Sequence, residues 1–331
     1  MTTPTVSIVL PIYNRKSFLP AAFDAIRAQR CDSVEVVVVD DGSVDDSQSV
    51  IAQLSESCPF PVHYIYQANQ GAYGARNTGV AATRGQYVAF YDSDDVWLPH
   101  HLSTCVAALE QHPDVDWVYA ACELVELATQ RQIAPTSFYQ SGTPRPFMRL
   151  AHERRGALAV ITDPGAIRCQ IDYGLFCGLQ NSVLRRRVFD RLTLEAATRN
   201  EAEDQLFAIR ALAAGFHLAY VDNVHVRYQV HAENSSAAGQ GLTLEKRRRV
   251  FEPLVAGYER LASEVELNPS ERRALRRRIG RDLFWQLGYN GYWLAGKRQE
   301  ALRVFERAIK CWPWDLAQWK TYLVSRVRSL R

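Results

Sequence analysis

Two carboxylates two residues apart, Asp92 and Asp94, stand directly after an apolar run, with Ser93 between them. Carboxylates are hard oxygen donors, so the pair suits Mg2+ or Mn2+, which takes one or two of them together with substrate phosphates. A second acidic cluster, Asp40-Asp41-Gly42-Ser43, follows another apolar run. Asp and Ser accept from free backbone N–H groups and Gly allows positive φ, so part of this cluster is a turn and helix cap. One cap needs one Asp. The other is left to accept from a ligand, such as the N3–H of uracil. Glu203 and Asp204 open a helix whose Leu206, Ile209 and Ala213 share a face. The helix dipole favours acids in a first turn, and the same position suits a general base facing an acceptor hydroxyl. Arg210 is its orienting partner or a surface charge, and Glu203 is a supporting group. His231, within Arg227–Ser235, joins the ligand set only if the fold carries it to the Asp92–Asp94 cluster.

Such residues need strands to present them. Residues 6–13, 34–39, 62–66 and 86–91 are short apolar runs rich in β-branched and aromatic residues, separated by stretches of helical periodicity. Near-continuous apolar strands alternating with helices predict a parallel sheet covered on both faces. Ligands of such sheets lie beyond the carboxyl ends of the strands. Those ends carry Pro11-Ile12-Tyr13-Asn14, the Asp40 cluster and the Asp92 cluster, which are expected to open on one crevice. Before the fourth strand, Gly71-Ala72-Tyr73-Gly74-Ala75-Arg76-Asn77 puts small residues in a helix. They either allow close approach to a nucleotide, with Arg76 reaching a phosphate or carboxylate, or serve tight helix–sheet packing. Gly85 is expected to end this helix in a left-handed cap. No dinucleotide fingerprint is present, since the first strand turns through Pro11, and this disfavours a nicotinamide-dependent enzyme. Residues 135–180 carry no legible pattern. Residues 178–190 include Asn181, a candidate supporting residue for an acceptor.

The chain has 331 residues, a net charge of +3, 47% hydrophobic and 23% charged residues. That is a globular composition, with room for one large unit and a smaller one. Seven cysteines include no CxxC pair, so a zinc ribbon or redox dithiol is not expected. Reduced thiols, a start that passes straight into a strand, and no apolar run near the ~20 residues of a membrane span point to a cytoplasmic protein. Charge divides unevenly. Residues 1–240 hold 19 basic and 26 acidic side chains; residues 241–331 hold 20 and 10. An acidic body speaks against nucleic acid as a partner.

Six ordered motifs now stand together: PxYN at 11–14, DDGSxD at 40–45, GxxxARNxG at 71–79, DSDDxxxP at 92–99, ED at 203–204 and RYxxHxxNxS at 227–236. In this order they resemble the family-two inverting glycosyltransferases of bacterial polysaccharide and glycan biosynthesis, over about residues 5–236. The resemblance implies a GT-A fold, a Rossmann-like, mostly parallel sheet flanked by helices, within an α/β class. It also implies sugar transfer from a nucleotide-diphosphate sugar, a UDP-sugar by preference, to a hydroxyl of a glycan or lipid-linked glycan. Pro11, Tyr13, Asn14 and Asp41 would flank the base, with Gly71, Arg76, Asp92 and Ser93 completing the donor site. Asp94 would be the principal ligand of Mn2+ or Mg2+, Asp92 and His231 its companions, and Asp204 the catalytic base. A non-catalytic nucleotide-sugar binder and a sugar-phosphate nucleotidyltransferase are the alternatives. The latter would want a Gly-rich loop after the first strand, and residues 11–18 hold no glycine.

Residues 241–331 read as wholly helical, an appendage to a catalytic unit at 1–240. Leu275, Ile279, Leu283 and Leu287 form one stripe, with six arginines between 272 and 281 around it. Between Asp282 and Lys297 lie 14 uncharged residues that include Phe284, Trp285, Tyr289, Tyr292 and Trp293. Trp and Tyr beside basic residues suit a membrane interface. Packing on the catalytic unit is the other reading. Peripheral attachment to the inner face of the plasma membrane is expected under the first.

Overall fold

The computed structural model describes residues 3–194, 203–231, 234 and 242–329. The chain opens as alternating strands and helices: β1 (Val6–Ile12), α1 (Leu19–Arg27), β2 (Val34–Asp40), α2 (Ser47–Glu56), β3 (Val62–Tyr66), α3 (Gly71–Ala82) and β4 (Tyr87–Phe90). Every residue of β2 and β4 is buried, as a sheet covered on both faces requires. A short β5 (Val96–Trp97) and α4 (His101–Gln111) lead to the long β6 (Trp117–Glu126). Then come β7 (Gln132–Ala134), the small hairpin β8 (Tyr139–Gln140) and β9 (Thr143–Pro144), β10 (His152–Arg155), β11 (Leu158–Ile161), α5 (Ala166–Asp172) and β12 (Ser182–Arg185). The sheet closes with α6 (Glu203–Ala213) and β13 (Leu218–Val230).

Among the described residues eleven strands join one mixed sheet, nine on the path β10-β11-β13-β6-β12-β4-β1-β2-β3, with β5 paired to β13 and β7 to β6. The half from β4 to β3 is parallel, and β13 runs parallel to β6; β12 is antiparallel to both its neighbours. Because β1 sits between β2 and β4, the order reverses there. That reversal opens a crevice at the carboxyl ends, where Asn14, Asp41 and Asp92 emerge.

Gly85 does not cap α3 in a left-handed conformation. The chain leaves α3 through an extended Thr83 (ψ 154°), and a Cβ on Gly85 would lie 2.6 Å from the Ser7 backbone nitrogen. Glycine is required there by close approach to β1. The residue that takes positive φ is Gly71 (+86°), at the other end of the helix.

The remaining helices are α7 (Leu244–Glu264), α8 (Pro269–Arg281), α9 (Arg298–Cys311) and α10 (Leu316–Ser329), with wide π-type turns over Asp282–Trp293 between α8 and α9. Asn268 and Glu271 close a reciprocal capping box at the start of α8. Leu275, Ile279, Leu283 and Leu287 are all buried, as their spacing requires. They share one apolar cluster with Ile171 of α5 and Leu206 and Ile209 of α6. The helices thus dock on the elements that carry Asp204.

The aromatic run faces that same cluster. Phe284 stacks on Phe305 at 4.2 Å between centroids, and Trp285, Tyr289, Tyr292 and Trp293 are partly buried against it. The expectation that this run meets a membrane interface is corrected: its apolar area is spent on packing. Arg277 is bound to Asp172 at 2.6 Å and Arg278 donates to the Ile171 carbonyl at 2.9 Å, so two of the six arginines serve the docking. The exposed apolar residues lie further on, at Trp314, Leu316, Trp319, Leu323 and Val327. Among the described residues no helix is long and apolar enough to cross a membrane.

Candidate active site

The turn after β1 is held by the turn after β2. Asn14 adopts φ +52°, a conformation that Asn tolerates better than most residues. Its N–H donates to the Ser43 hydroxyl (2.9 Å), and its Oδ1 accepts from the Val44 N–H (2.9 Å). Tyr13 is left 49% exposed on the surface of this crevice, and Pro11 lies in β1 opposite Val39.

Asp40 and Asp41 hold different partners. Asp40 accepts from the Ser43 N–H and the Tyr64 hydroxyl, both at 2.8 Å, and so fixes the turn. Asp41 accepts from the Gln67 side chain (2.7 Å) and from the N–H groups of Gln70 and Gly71 (2.8 Å each). A carboxylate has about four acceptor positions, so three are filled and one remains.

Arg76 is buried, which is costly unless its charge is paired. One nitrogen lies 2.5 Å from Asp92 Oδ1, and the guanidinium covers the Tyr73 ring at 4.8 Å. Burial works against the charge, but Asp92 and Tyr73 outweigh it, and the guanidinium stays protonated. Its Nε finds no partner among the described residues. Asp92, Arg76 and Asp204 line one cavity of about 700 Å³.

Burial pushes the Asp204 carboxyl above the ordinary carboxylate range, while the Gln205 N–H and the Arg76 charge pull it back. Arg76 therefore faces both the strand-end acid and the helix acid. Arg210 was open to two readings, an orienting partner of Asp204 or a surface charge, and among the described residues it forms an ion pair with α7. Arg210 lies six residues along the helix, on a different face, and binds Glu264 of α7 at 2.6 Å. Glu203 is the first residue of α6, and its side chain falls outside the described residues. Ser236 of the RYxxHxxNxS motif also lies outside them.

β13 brings His231 to the strand-end cluster, the step that no spacing in the chain could settle. Its Nε2 lies 3.1 Å from Asp94 Oδ2. The Asn234 side chain accepts from the His231 N–H and donates to the Gln229 carbonyl (3.1 Å), pinning the loop that presents the imidazole. Carboxylate and imidazole in contact at a partly exposed position form a donor set that fits a first-row divalent ion such as Mn2+. An all-oxygen set would favour Mg2+.

Ser93 is buried between the two acids. Asp95, buried behind them, was absent from the sequence-level candidates. Its Oδ1 accepts from the Gln229 N–H (3.1 Å), and Oδ2 has no partner among the described residues. Burial, then the charges of Asp94 and Asp92, push its carboxyl well above the usual range.

Sequence reasoning missed three further groups. Arg15 lies 3.9 Å from Asp94 Oδ2, with its guanidinium 5.5 Å from the Phe18 ring centroid, and Phe18 in turn stacks on His231. Its place directly after Asn14 was the available signal. The other two form the far wall of the cavity: Tyr173 and Phe176 after α5, and Val250, Phe251, Leu254 and Arg278 from α7 and α8. Nothing in the local sequence marks them. Asn181, expected as a support, lines the cavity; its Nδ2 donates to the carbonyls of Ala120 (2.5 Å) and Phe176 (3.1 Å). Its buried Oδ1 has no partner among the described residues.

Residues 7–176 match the family model described as Glycosyl transferase family 2. The chain belongs to that family. The putative glycosyltransferase EpsH of Bacillus subtilis is 25% identical over 273 residues, covering 81% of this chain and 71% of the relative. An uncharacterized glycosyltransferase of Nostoc is 45% identical over 105 residues, covering 32% of this chain and only 33% of that relative's length. Among solved structures, S. aureus TarS 1-349 in complex with UDP-GlcNAc superposes with a TM-score of 0.63 at 17% identity, covering 93% of this chain and 81% of that one. The mannosyltransferase PcManGT of Pyrobaculum calidifontis, solved with GDP-Man and Mn2+, gives 0.59 at 19% identity, covering all of this chain and 88% of that one. At such identities these likenesses speak for the fold, a GT-A-type sheet flanked by helices with further helices after it.

Proposed function

We infer that this chain transfers a sugar from a nucleotide-diphosphate sugar to an acceptor hydroxyl, with inversion at the anomeric carbon. The observation that carries the reading is the cavity itself. It holds Asp92 on the strand-end side, Asp204 on the helix side, and Arg76 answering to both.

The donor base fits the crevice between Tyr13 and the Asn14–Ser43 bridge. The last free acceptor position of Asp41 takes an imide N–H there, which favours uracil. Asp94 and His231 are the residues that would hold a divalent ion, with Asp92 beside them, and Mn2+ suits their oxygen–nitrogen set. Such an ion supplies positive charge where the departing diphosphate develops negative charge. Arg76 and Arg15 add fixed cationic charge at the same edge.

Asp204 accepts the acceptor's proton as that oxygen attacks C1 from the face opposite the diphosphate. Its raised carboxyl makes it a stronger base than an exposed Asp, a contribution of about 10²–10⁴-fold. The unsatisfied Oδ1 of Asn181 and the rings of Tyr173 and Phe176 offer a sugar one hydrogen-bond acceptor and two apolar faces. A screen of nucleoside diphosphates and nucleotide sugars by thermal shift, with and without Mn2+, tests the donor reading. A ligand that binds only the native state raises the melting temperature. UDP or a UDP-sugar should raise it most, and only with metal. No shift from any nucleotide would overturn the reading.

The acceptor we favour is a glycan carried on lipid. Leu316, Trp319, Leu323 and Val327 of α10 fall at helical spacing on one exposed stripe, with Trp314 just before it and exposed Lys320, Arg326 and Arg328 alongside. Apolar and aromatic residues beside basic ones suit an anionic membrane surface, at about 1 kcal/mol per basic residue near it. Co-sedimentation should be greater with anionic than with neutral vesicles. Equal co-sedimentation removes the membrane from the proposal and leaves the transferase reading intact.

A further inference from the structure

We propose that His101, Cys105 and His225 form a buried zinc site, distinct from the Asp94–His231 cluster, that staples together the two segments on which that cluster depends.

His101 and Cys105 stand four apart on one face of α4, and His225 enters from β13. His101 Nδ1 and His225 Nδ1 are 3.4 Å apart, and Cys105 Sγ is 3.9 Å from each. All three residues are buried, and their donor atoms converge. The point equidistant from these atoms lies about 2.2 Å from each, close to the ~2.0–2.3 Å of Zn–N and Zn–S bonds. A water at that point would be far too close, since hydrogen-bonded oxygens stand about 2.7–3.2 Å from their partners.

The direct contacts explain the arrangement poorly. A 3.4 Å N···N separation is long for a hydrogen bond, and the two Cys105 Sγ contacts at 3.9 Å are weak ones. Buried polar atoms that meet each other only weakly need another reason to be there. Two imidazoles and a thiol are the donor set of zinc rather than of magnesium or manganese. The protein supplies three ligands, and a fourth would have to come from solvent. The thiol loses its proton to solvent on loading, so the site carries one net positive charge. Both imidazoles bind as neutral ligands.

The location gives the site its consequence. α4 follows directly from the Asp92–Pro99 segment, and the Leu98 N–H donates to the His225 carbonyl at 2.8 Å. Trp97 lies against His101 (4.6 Å between centroids), and His100 meets His225 edge-on at 4.6 Å. The same strand ends at Val230, and His231 follows it directly, six residues beyond His225. An ion here would tie the segment bearing Asp94 to the strand bearing His231, so it is a positioning element with no contact to substrate.

The test uses the full chain without an affinity tag, produced in zinc-replete medium and washed free of loose metal. Elemental analysis should find about one zinc per chain. The Asp94→Ala variant should keep it, and Cys105→Ser should lose it. Refolding the wild-type chain with Co2+ in place of zinc should give an intense thiolate-to-cobalt charge-transfer band that Asp94→Ala retains. Chelation under mild denaturant should lower the melting temperature of the wild type and leave that of Cys105→Ser unmoved. Wild-type protein with less than about a tenth of a zinc per chain and no thiolate band on cobalt loading would overturn the site. That outcome needs no variant to fold. Neither result depends on whether the chain transfers a sugar.

Discussion

The two walls of the cavity are built in different ways. The strand-end wall consists of turns in which each polar side chain answers a neighbour within two short motifs: Asn14 with Ser43 and Val44, Asp41 with Gln70 and Gly71, Arg76 with Asp92. The opposite wall draws Tyr173 and Phe176 from a loop, Asp204 from α6, and Val250, Phe251 and Leu254 from α7. Its pieces are far apart in the chain and are held by the apolar cluster that joins α5 and α6 to the C-terminal helices. A wall made of hydrogen-bonded turns is preorganised for charge. A wall made of packed helices offers shape and can be re-cut without disturbing the first. On the proposed reading, donor chemistry belongs to one side and acceptor choice to the other.

The sharpest way to break this division is to remove a charge from the strand-end side. Asp94→Ala should abolish metal-dependent binding of the donor, read by calorimetry with and without Mn2+. Unchanged binding would take Asp94 out of the ligand set. On the helical side, Asp204→Asn should keep donor affinity and lower transfer by about 10²–10⁴-fold.

The wild-type rate should also fall as pH falls through the raised carboxyl, because a base must be ionised to accept a proton. The acid limb of kcat/KM should therefore lie above the ordinary Asp range and vanish from the residual activity of Asp204→Asn. A wild-type limb at the ordinary Asp value would show that burial does not tune this group.

A smaller effect is expected from Tyr173→Ala. This ring is 59% exposed, so its loss costs little stability. It should weaken kcat/KM for the acceptor by about fivefold, in keeping with the ~1 kcal/mol of an aromatic contact, and leave the donor's dissociation constant alone. A change in donor affinity instead would show that the walls are not separable.

The smallest effect concerns stability. Asp95 keeps its proton to higher pH in the fold than in the unfolded chain, so it costs stability as pH rises from the unfolded pKa toward the higher folded one. Asp95→Asn, a neutral mimic, should raise the melting temperature of metal-free protein at pH 8 and change it little at pH 4. Equal shifts at both would assign the effect to packing.

Much of the first wall was legible because the information is local. Apolar runs fix buried strands, and a strand end fixes where the next two or three side chains emerge. Even there the reading failed at Gly85, whose role is contact with β1 and not a helix cap, and contact partners are invisible to spacing. At Arg210 the sequence left two readings open, and only the phase of α6 against α7 brings it to Glu264. The aromatic run at 284–293 looked like a membrane belt because composition does not say what covers a ring. In the fold Phe305 and its neighbours cover it, and the exposed stripe belongs to α10.

The sequence by itself determined the alternation of strands and helices, the acidic turns at the strand ends, and the order of motifs that places the chain in glycosyl transferase family 2. Each of these rests on residues within a few positions of one another, where backbone geometry alone sets what can meet. The tertiary structure decided that His231 touches Asp94, that Arg76 answers to both Asp92 and Asp204, and that α7 and α8 complete the cavity. It also drew together His101, Cys105 and His225, which no motif connects. Those encounters join residues that lie far apart along the chain. Only the packing of α4, α6 and α7 against the sheet and one another fixes them.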